Sequence, residues 1–456
     1  MKKLLGSTLA LAMLVPAGAN AELLKNFKMG GSLEVDAVSA NNVKDFSTAT
    51  DDTLSTIQTR LMVHADWDVL DDVHAHISMD KNDRTWGGTA GGSGAVGGSQ
   101  NLQTVQGAIA VDESYVKIDK LFGGLDTTLG RQYYGEQGDV VIYFGPKYNL
   151  YGMPITALDG ARFDWSGEKV SVTALASKIV SGAGALGGVN TNDQNLIGVD
   201  VHVKATDKVT GSAYLYNRTI VNSGTNGVVG DDELFVAGLK GKVTMGGGWL
   251  KAEFDKDFGA NRVVGFDGNY TGWAGKLDGG YKADVGSMGA LTGWGQYALG
   301  SGGSTTNRNF TAIAGDYRPG GIYGRFLASG QNGASTFGQA STLSDLQVIG
   351  VGVKANPAAL SKLTAGVSWY DYHYESVAGM RAYAVTLPGV PANFTGSNQI
   401  GNELDIDLTW QNSENVSVSA GYGTFQADGF IKDVKQANRV GNNPATLLYA
   451  DASIKF

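Results

Sequence analysis

From about its third decade of residues to its end, the chain alternates apolar and polar positions with a period of two, the pattern of strands whose two faces meet different surroundings. Met29, Leu33, Val35 and Ala37 alternate with Gly30, Ser32, Glu34 and Asp36, and Ile57, Leu61, Val63, Ala65 and Trp67 alternate with Gln58, Arg60, Met62, His64 and Asp66. The same rhythm runs through Ile197 to Lys204, Glu403 to Trp410 and Val416 to Tyr422. No stretch after Val15 has the length, about 20 residues, and the apolar character of a membrane helix. Strands with one apolar face then bury it in one of two ways, against a second sheet or in the lipid around a closed barrel.

The connections separate these alternatives. Short turns at 70–72, 167–168, 206–207 and 411–414 tend to alternate with long loops at 41–52, 81–106, 133–158, 181–193, 221–231, 331–344, 375–399 and 428–444. Barrels of the outer membrane sort their turns and loops onto opposite rims in this way, whereas a sandwich has no reason to. The apolar faces mix Val, Leu and Ile with much Ala and Gly, and the 67 glycines are roughly twice the usual share. Trp67, Trp165, Trp369, Trp410 and Tyr422 sit towards strand ends, a placement suited to an interfacial girdle. The pattern predicts an all-β fold, a transmembrane antiparallel up-and-down β-barrel of roughly 16 to 20 strands. Its least legible part is 263–330, where glycine blurs the strand ends.

Residues 1–21 read as a signal peptide: Lys2 and Lys3, an apolar stretch from Leu4 to Val15, then Ala19-Asn20-Ala21 as a small-residue cleavage site. The barrel then occupies 22–456. Losing two lysines takes the net charge from -9 to about -11, a poor balance for binding nucleic acid. The chain has no cysteine, which excludes disulfides and thiolate metal sites.

Few motifs carry other chemistry. Gly92-Ser93-Gly94-Ala95-Val96-Gly97 spells GxGxxG but precedes no helical pattern, so it reads as a glycine-rich loop and no cofactor is implied. His74 and His76 share a strand face; two ligands make a weak metal site, and a polar pair facing the lumen is the simpler reading. None of the five histidines belongs to a nucleophile motif, and no enzyme is expected.

The end of the chain, "LLYADASIKF", places Leu448, Ala450, Ala452, Ile454 and Phe456 on one face and Tyr449, Asp451, Ser453 and Lys455 on the other. Such a strand predicts the seam of a barrel, paired with the segment around Met29 to Ala37. With this ending and the stretch "ESYVKIDKLFGGLDTTLGRQYYGEQGD" followed by "LDGARFDW", the chain resembles bacterial outer-membrane porins and, locally, alginate-export-type channels. In those proteins a strand ending Gly-Arg-Gln leads into a long loop and then an Asp-Gly-x-Arg strand. The resemblance implies a cell outer membrane location, with lipid and lipopolysaccharide as surroundings. It also implies that Phe456 is the signal read by the barrel-assembly machinery, and it brings in the homotrimers that many porins form.

The resemblance also implies that the third long loop, 133–158, folds into the channel; the alternative is an outward-facing surface loop. Its pore candidates are Tyr134, Glu136, Asp139, Tyr143, Lys147 and Tyr148, flanked by Arg131, Arg162 and Asp164. Arg131 shares parity with Leu125 and Leu129, so facing the lumen requires a bulge in its strand or a misassigned apolar face. Glu34, Asp36, Asp66, Asp80, Glu403, Asp405, Asp407 and Asp451 fall on the polar face, against Arg60, Lys117, Arg162 and Lys204. A barrel this wide leaves an aqueous channel. The expectation is passive diffusion of small hydrophilic solutes and ions with a weak cation preference, since rings of carboxylates favour cations. A saccharide-preferring channel and a mainly structural or adhesive surface barrel are the alternatives.

Overall fold

A computed structural model describes residues 25–43, 46, 53–85, 109–148, 153–180, 193–221, 230–262, 268–303, 308–327, 343–385, 390–437 and 443–456. The expected signal peptide, 1–21, and the glycine-rich 92–97 lie outside these residues. In chain order the strands are β1 (Lys25–Asn41), β2 (Leu54–Leu70), β3 (Val73–Thr85), β4 (Ala110–Leu121), β5 (Leu125–Gln132), β6 (Tyr134–Gly135), β7 (Tyr143–Phe144), β8 (Leu158–Ser166) and β9 (Val170–Val180). They continue as β10 (Gln194–Thr206), β11 (Val209–Ile220), β12 (Asp232–Met245), β13 (Gly248–Phe258), β14 (Ala260–Asn261), β15 (Gly268–Asn269), β16 (Trp273–Asp284) and β17 (Gly289–Gly300). The last are β18 (Leu346–Pro357), β19 (Leu363–His373), β20 (Gln399–Ser413), β21 (Val416–Ala427) and β22 (Ala445–Lys455). The two-residue β6 and β7 pair with each other, as do β14 and β15, and the remaining strands make one 18-stranded sheet.

Every pairing in that sheet is antiparallel, and β22 returns to β1, from Ser32 opposite Lys455 to Asn41 opposite Thr446. The sheet is therefore a closed barrel with no open edge. Hairpin turns of two to five residues close one rim. Long connections occupy the other, among them 133–157, 301–345 and 374–398. The strand count falls inside the predicted range. The blurred zone of the sequence reading has a physical explanation in part: 301–345 is one connection, and its described residues, 301–303, 308–327 and 343–345, add no strand to the barrel.

Alternation sets the two faces. Leu61, Ile197, Leu239, Leu250, Phe254, Val353, Leu404, Ile406, Leu408 and Leu448 all stand exposed on the outside. A contiguous apolar belt of this kind is costly in water and matched to lipid, which makes the barrel a transmembrane one. Trp165 and Trp410 lie beside the short turns, as girdle residues do, but Tyr422 sits in the middle of β21. Long strands extend past the belt, so a strand end in sequence is not always a membrane boundary.

The inward face changes character along its length. Near the short turns it is polar, and towards the long loops it turns apolar, with Leu196, Leu234, Val236, Tyr372, Phe425 and Leu447 all buried. These residues pack on chain that has entered the barrel.

Candidate functional site

Two connections supply most of the chain that meets at the centre of this packing, while near the rim Phe46 joins it and the helix Gly429–Ala437 adds Phe430, Ile431 and Val434. The third long loop contributes Val140, Val141, Ile142, Tyr143 and Phe144, all buried, and 301–345 contributes Phe310, Ile313, Tyr317, Ile322, Tyr323, Phe326 and Leu327. The first leaves the wall between β5 and β8, the second between β17 and β18, nearly opposite around the barrel. They meet inside. Ile142 and Ala314 form a parallel bridge; Ile313 and Ala314 N–H donate to the Val141 carbonyl at 3.1 and 3.0 Å, and Tyr143 N–H donates to Ala314 O at 2.9 Å.

Charge completes the junction. Asp316 lies between Lys147 Nζ at 3.4 Å and Arg318 Nε at 3.3 Å, and its Oδ2 accepts the Gly138 N–H at 3.1 Å. Burial pushes the Lys147 ammonium down to about 8, with Asp316 opposing that fall, and burial also lowers the Arg318 guanidinium. Lys147 Nζ also donates to the Tyr143 carbonyl at 2.9 Å and lies 4.3 Å from the centre of the Tyr143 ring.

The wall holds each loop with buried charge. Arg60 is fully buried; its Nε donates to Glu34 Oε2 at 2.7 Å, and its Nη1 donates to the carbonyls of Lys147 and Met153 at 3.0 and 2.9 Å. Tyr148 covers its guanidinium, 4.6 Å from ring centre to Cζ. On the second loop, Glu403 Oε2 accepts the Tyr323 N–H at 3.0 Å and the Tyr372 hydroxyl at 3.1 Å, while Asp405 Oδ2 accepts the Gly321 N–H at 3.0 Å. These carboxylates satisfy N–H groups at the start of a π-helical turn, Tyr323–Leu327, that would otherwise be orphaned. Arg325 pairs with Asp36, and the Tyr323 ring stacks on Tyr372 at 4.2 Å.

The sequence candidates divide accordingly. Tyr134, Glu136, Asp139 and Arg162 line a cavity of about 630 Å³, with His202, Lys240, Lys242, Lys251, Glu253, Lys276 and Asp278 on its wall. Tyr134 and Tyr216 share a hydroxyl bond of 3.0 Å; Asp139 accepts the Val141 and Ile142 N–H groups at 2.8 and 3.1 Å and pairs with Lys240. Arg162 and Asp164 pair at 2.8 Å and line a second cavity of about 540 Å³. Asp66 sits with His76 in a third, of about 510 Å³. Asp405, Asp407 and Asp451 line a fourth, of about 230 Å³, where Asp407 also accepts the Tyr449 hydroxyl. Lys204 stands at the short-turn mouth, paired with Asp207 at 2.7 Å, and Asp80 is buried in the wall.

Two expectations need correction. Arg131 does not reach the lumen wall. The register of β5 against β8 is unbroken from Asp126 to Gln132, so no bulge reverses its face; Arg131 keeps the outward parity of exposed Leu129 and pairs with Asp159 at 2.9 Å near the long-loop rim. The second concerns the acidic set. Glu34, Asp36, Glu403 and Asp405 do not form a free ring, because their oxygens hold Arg60, Arg325 and the loop backbone.

The motif behind the porin resemblance has a local cause. Gly130 and Gly160 are direct neighbours across β5 and β8. Gly130 has φ +131°, and a Cβ there would lie 2.3 Å from the Ser114 carbonyl, so only glycine is accommodated where β5 gives way to the loop. Sequence reading missed Asp316, Arg318 and Arg325, although Asp316-Tyr317-Arg318-Pro319-Gly320-Gly321 breaks the alternation and places a proline where a central strand tolerates none. It also missed Lys240, Lys242, Lys251 and Lys276. Their parity with the polar face was the available signal.

Solved structures with a similar fold are outer-membrane proteins. OpdQ from Pseudomonas aeruginosa matches with a TM-score of 0.57 at 11% identity, over 96% of this chain and 99% of its own. OprD from the same organism gives 0.55 at 11%, over 96% of each chain, and OpdK, determined with vanillate, gives 0.54 at 10%, over 95% and 99%. The likeness is one of fold. No sequence-family description and no curated relative matches the chain.

Proposed function

We propose that the chain is a bacterial outer-membrane channel that passes small hydrophilic solutes selectively, and that solutes bearing a carboxylate are the class it takes. The observation that carries this reading is the pair Lys242 and Lys251, set directly opposite each other across β12 and β13 on the wall of the largest cavity described above. Like charges facing across a sheet are destabilising, and an anion between them relieves the repulsion. Neither has an ion-pair partner among the described residues, while Arg162, His202, Lys240 and Lys276 stand on the same wall. The two inward loops narrow the path, and transport is passive. OpdK, similar in fold, was determined with vanillate, itself a carboxylate.

Purified protein in planar bilayers and in solute-loaded liposomes tests this. A steady current is expected, and Lys242→Gln with Lys251→Gln should slow entry of small carboxylates several-fold while leaving neutral sugars little changed. Equal slowing of both would sink the carboxylate reading; a barrel that passes no steady current would sink the channel reading. A weak cation preference is the second reading, favoured by Asp405, Asp407 and Asp451 around the smaller cavity, and the sign of the reversal potential in a salt gradient decides it.

A further inference from the structure

Outside the loop junction, the lumen wall carries a dense titratable cluster at the short-turn mouth on β2, β3 and β4, around the cavity of about 510 Å³. The rings of His64 and His76 stack with centroids 5.9 Å apart, and His76 stacks on Tyr115 at 4.7 Å, making a row across three strands. Carboxylates bracket the imidazoles. Asp66 lies 2.7 Å from His76 Nδ1 and 3.8 Å from His64 Nε2, and Glu113 lies 3.5 Å from His76 Nε2. His74 stands between Asp68, 2.6 Å from its Nδ1, and Asp119, 3.1 Å from its Nε2.

The neighbouring elements add few other charges. Lys28 of β1 and Lys117 of β4 line the same cavity, Lys117 bridging Asp119 at 3.0 Å and Asp126 of β5 at 3.3 Å. The Phe456 main-chain oxygen lies near Gly30, beside His64. Arg162 and Asp164 face the adjoining cavity as a neutral pair. With neutral imidazoles, five carboxylates face two ammonium groups, and Lys25 and Asp71 beside Asp68 pair with each other and add no net charge; the wall is negative, and three protonated imidazoles offset it.

We propose that this histidine row makes the mouth of the channel a proton-sensitive selectivity element, holding cations back as the imidazoles charge and admitting anions more freely in acid. The proposal rests on the channel reading and is independent of which solute the channel carries. A free imidazole changes charge near pH 6.5, and His74 and His76 each have a carboxylate beside both ring nitrogens, so protonating them adds charge without stranding a donor. The row sits where every ion passes, and rings of wall charge set permeability there.

Reversal potentials of the full-length mature barrel in a potassium chloride gradient, taken at about pH 7 and about pH 5, test the proposal. The cation-to-anion permeability ratio is expected to fall several-fold on acidification, and the triple variant His64→Gln, His74→Gln, His76→Gln should lose most of that fall. His74→Gln alone, at the end of the cluster beside the β2–β3 turn, should lose part of it and guards against a triple variant that does not fold. A ratio flat between the two pH values, or a full shift retained by the variants, overturns the proposal while steady current keeps the channel reading intact. Absence of steady current at both pH values overturns the channel reading and this proposal with it.

Discussion

Arg60 shows how one residue converts strand parity into architecture. The sequence placed it inward with Glu34, and the structure adds two loop carbonyls that no local pattern announces. Replacing it by alanine leaves a buried carboxylate without a counter-charge, a loss of about 3–5 kcal/mol for such pairs. Arg60→Ala should therefore loosen the third loop and give a larger, noisier single-channel conductance, and Arg60→Lys should fall between it and the wild type. Lys147 offers a second test at this scale. Its ammonium is pushed down to about 8, so raising the pH through that value removes a positive charge beside Asp316. Cation permeability should rise between about pH 7 and 9, and the rise should vanish in Lys147→Met. Arg131 marks the limit of parity reasoning: its parity was read correctly, but its charge drew it to the lumen on paper, whereas a long side chain near the rim can meet Asp159 outside.

At the scale of elements, strands were legible and inward loops were not. A strand declares itself in its own residues, because each second side chain meets lipid. A loop folded into the lumen is held by contacts far off in sequence, such as Arg325 with Asp36, 289 positions away, and Tyr323 with Glu403, 80 away, and these leave no periodic trace. Of 301–345 the sequence marked only 331–344 as a loop and left the rest undecided, and the inward course of 308–327 was invisible. Its anchoring can be measured. Glu403→Gln together with Asp405→Asn weakens charge-assisted bonds to backbone N–H, each worth about 1.5–3 kcal/mol. The variant should keep its barrel, judged by circular dichroism, and show raised conductance; unchanged conductance would mean that the aromatic stack of Tyr323 on Tyr372 suffices to hold the turn.

The whole molecule depends on closure and on its belt. An arginine in place of Leu404 puts a charge on the lipid face, where the cost is about 2–4 kcal/mol at mid-membrane and falls towards the interfaces. Folded yield in vesicles should drop accordingly, while the same change at an inward position should not lower it. Deleting Phe456 removes an exposed apolar contact at the seam and the two bonds its backbone makes with Gly31. Barrel yield should fall, and unchanged assembly would count against its role. The bridge between Ile142 and Ala314 has a further consequence. Because the two loops spring from opposite arcs and are stitched together at the centre, they act as a tie-beam across a hollow tube, resisting flattening of its cross-section. Neither half can swing aside while the other stays, so widening of the path is expected as an all-or-none step in current recordings, shared by both halves of the beam.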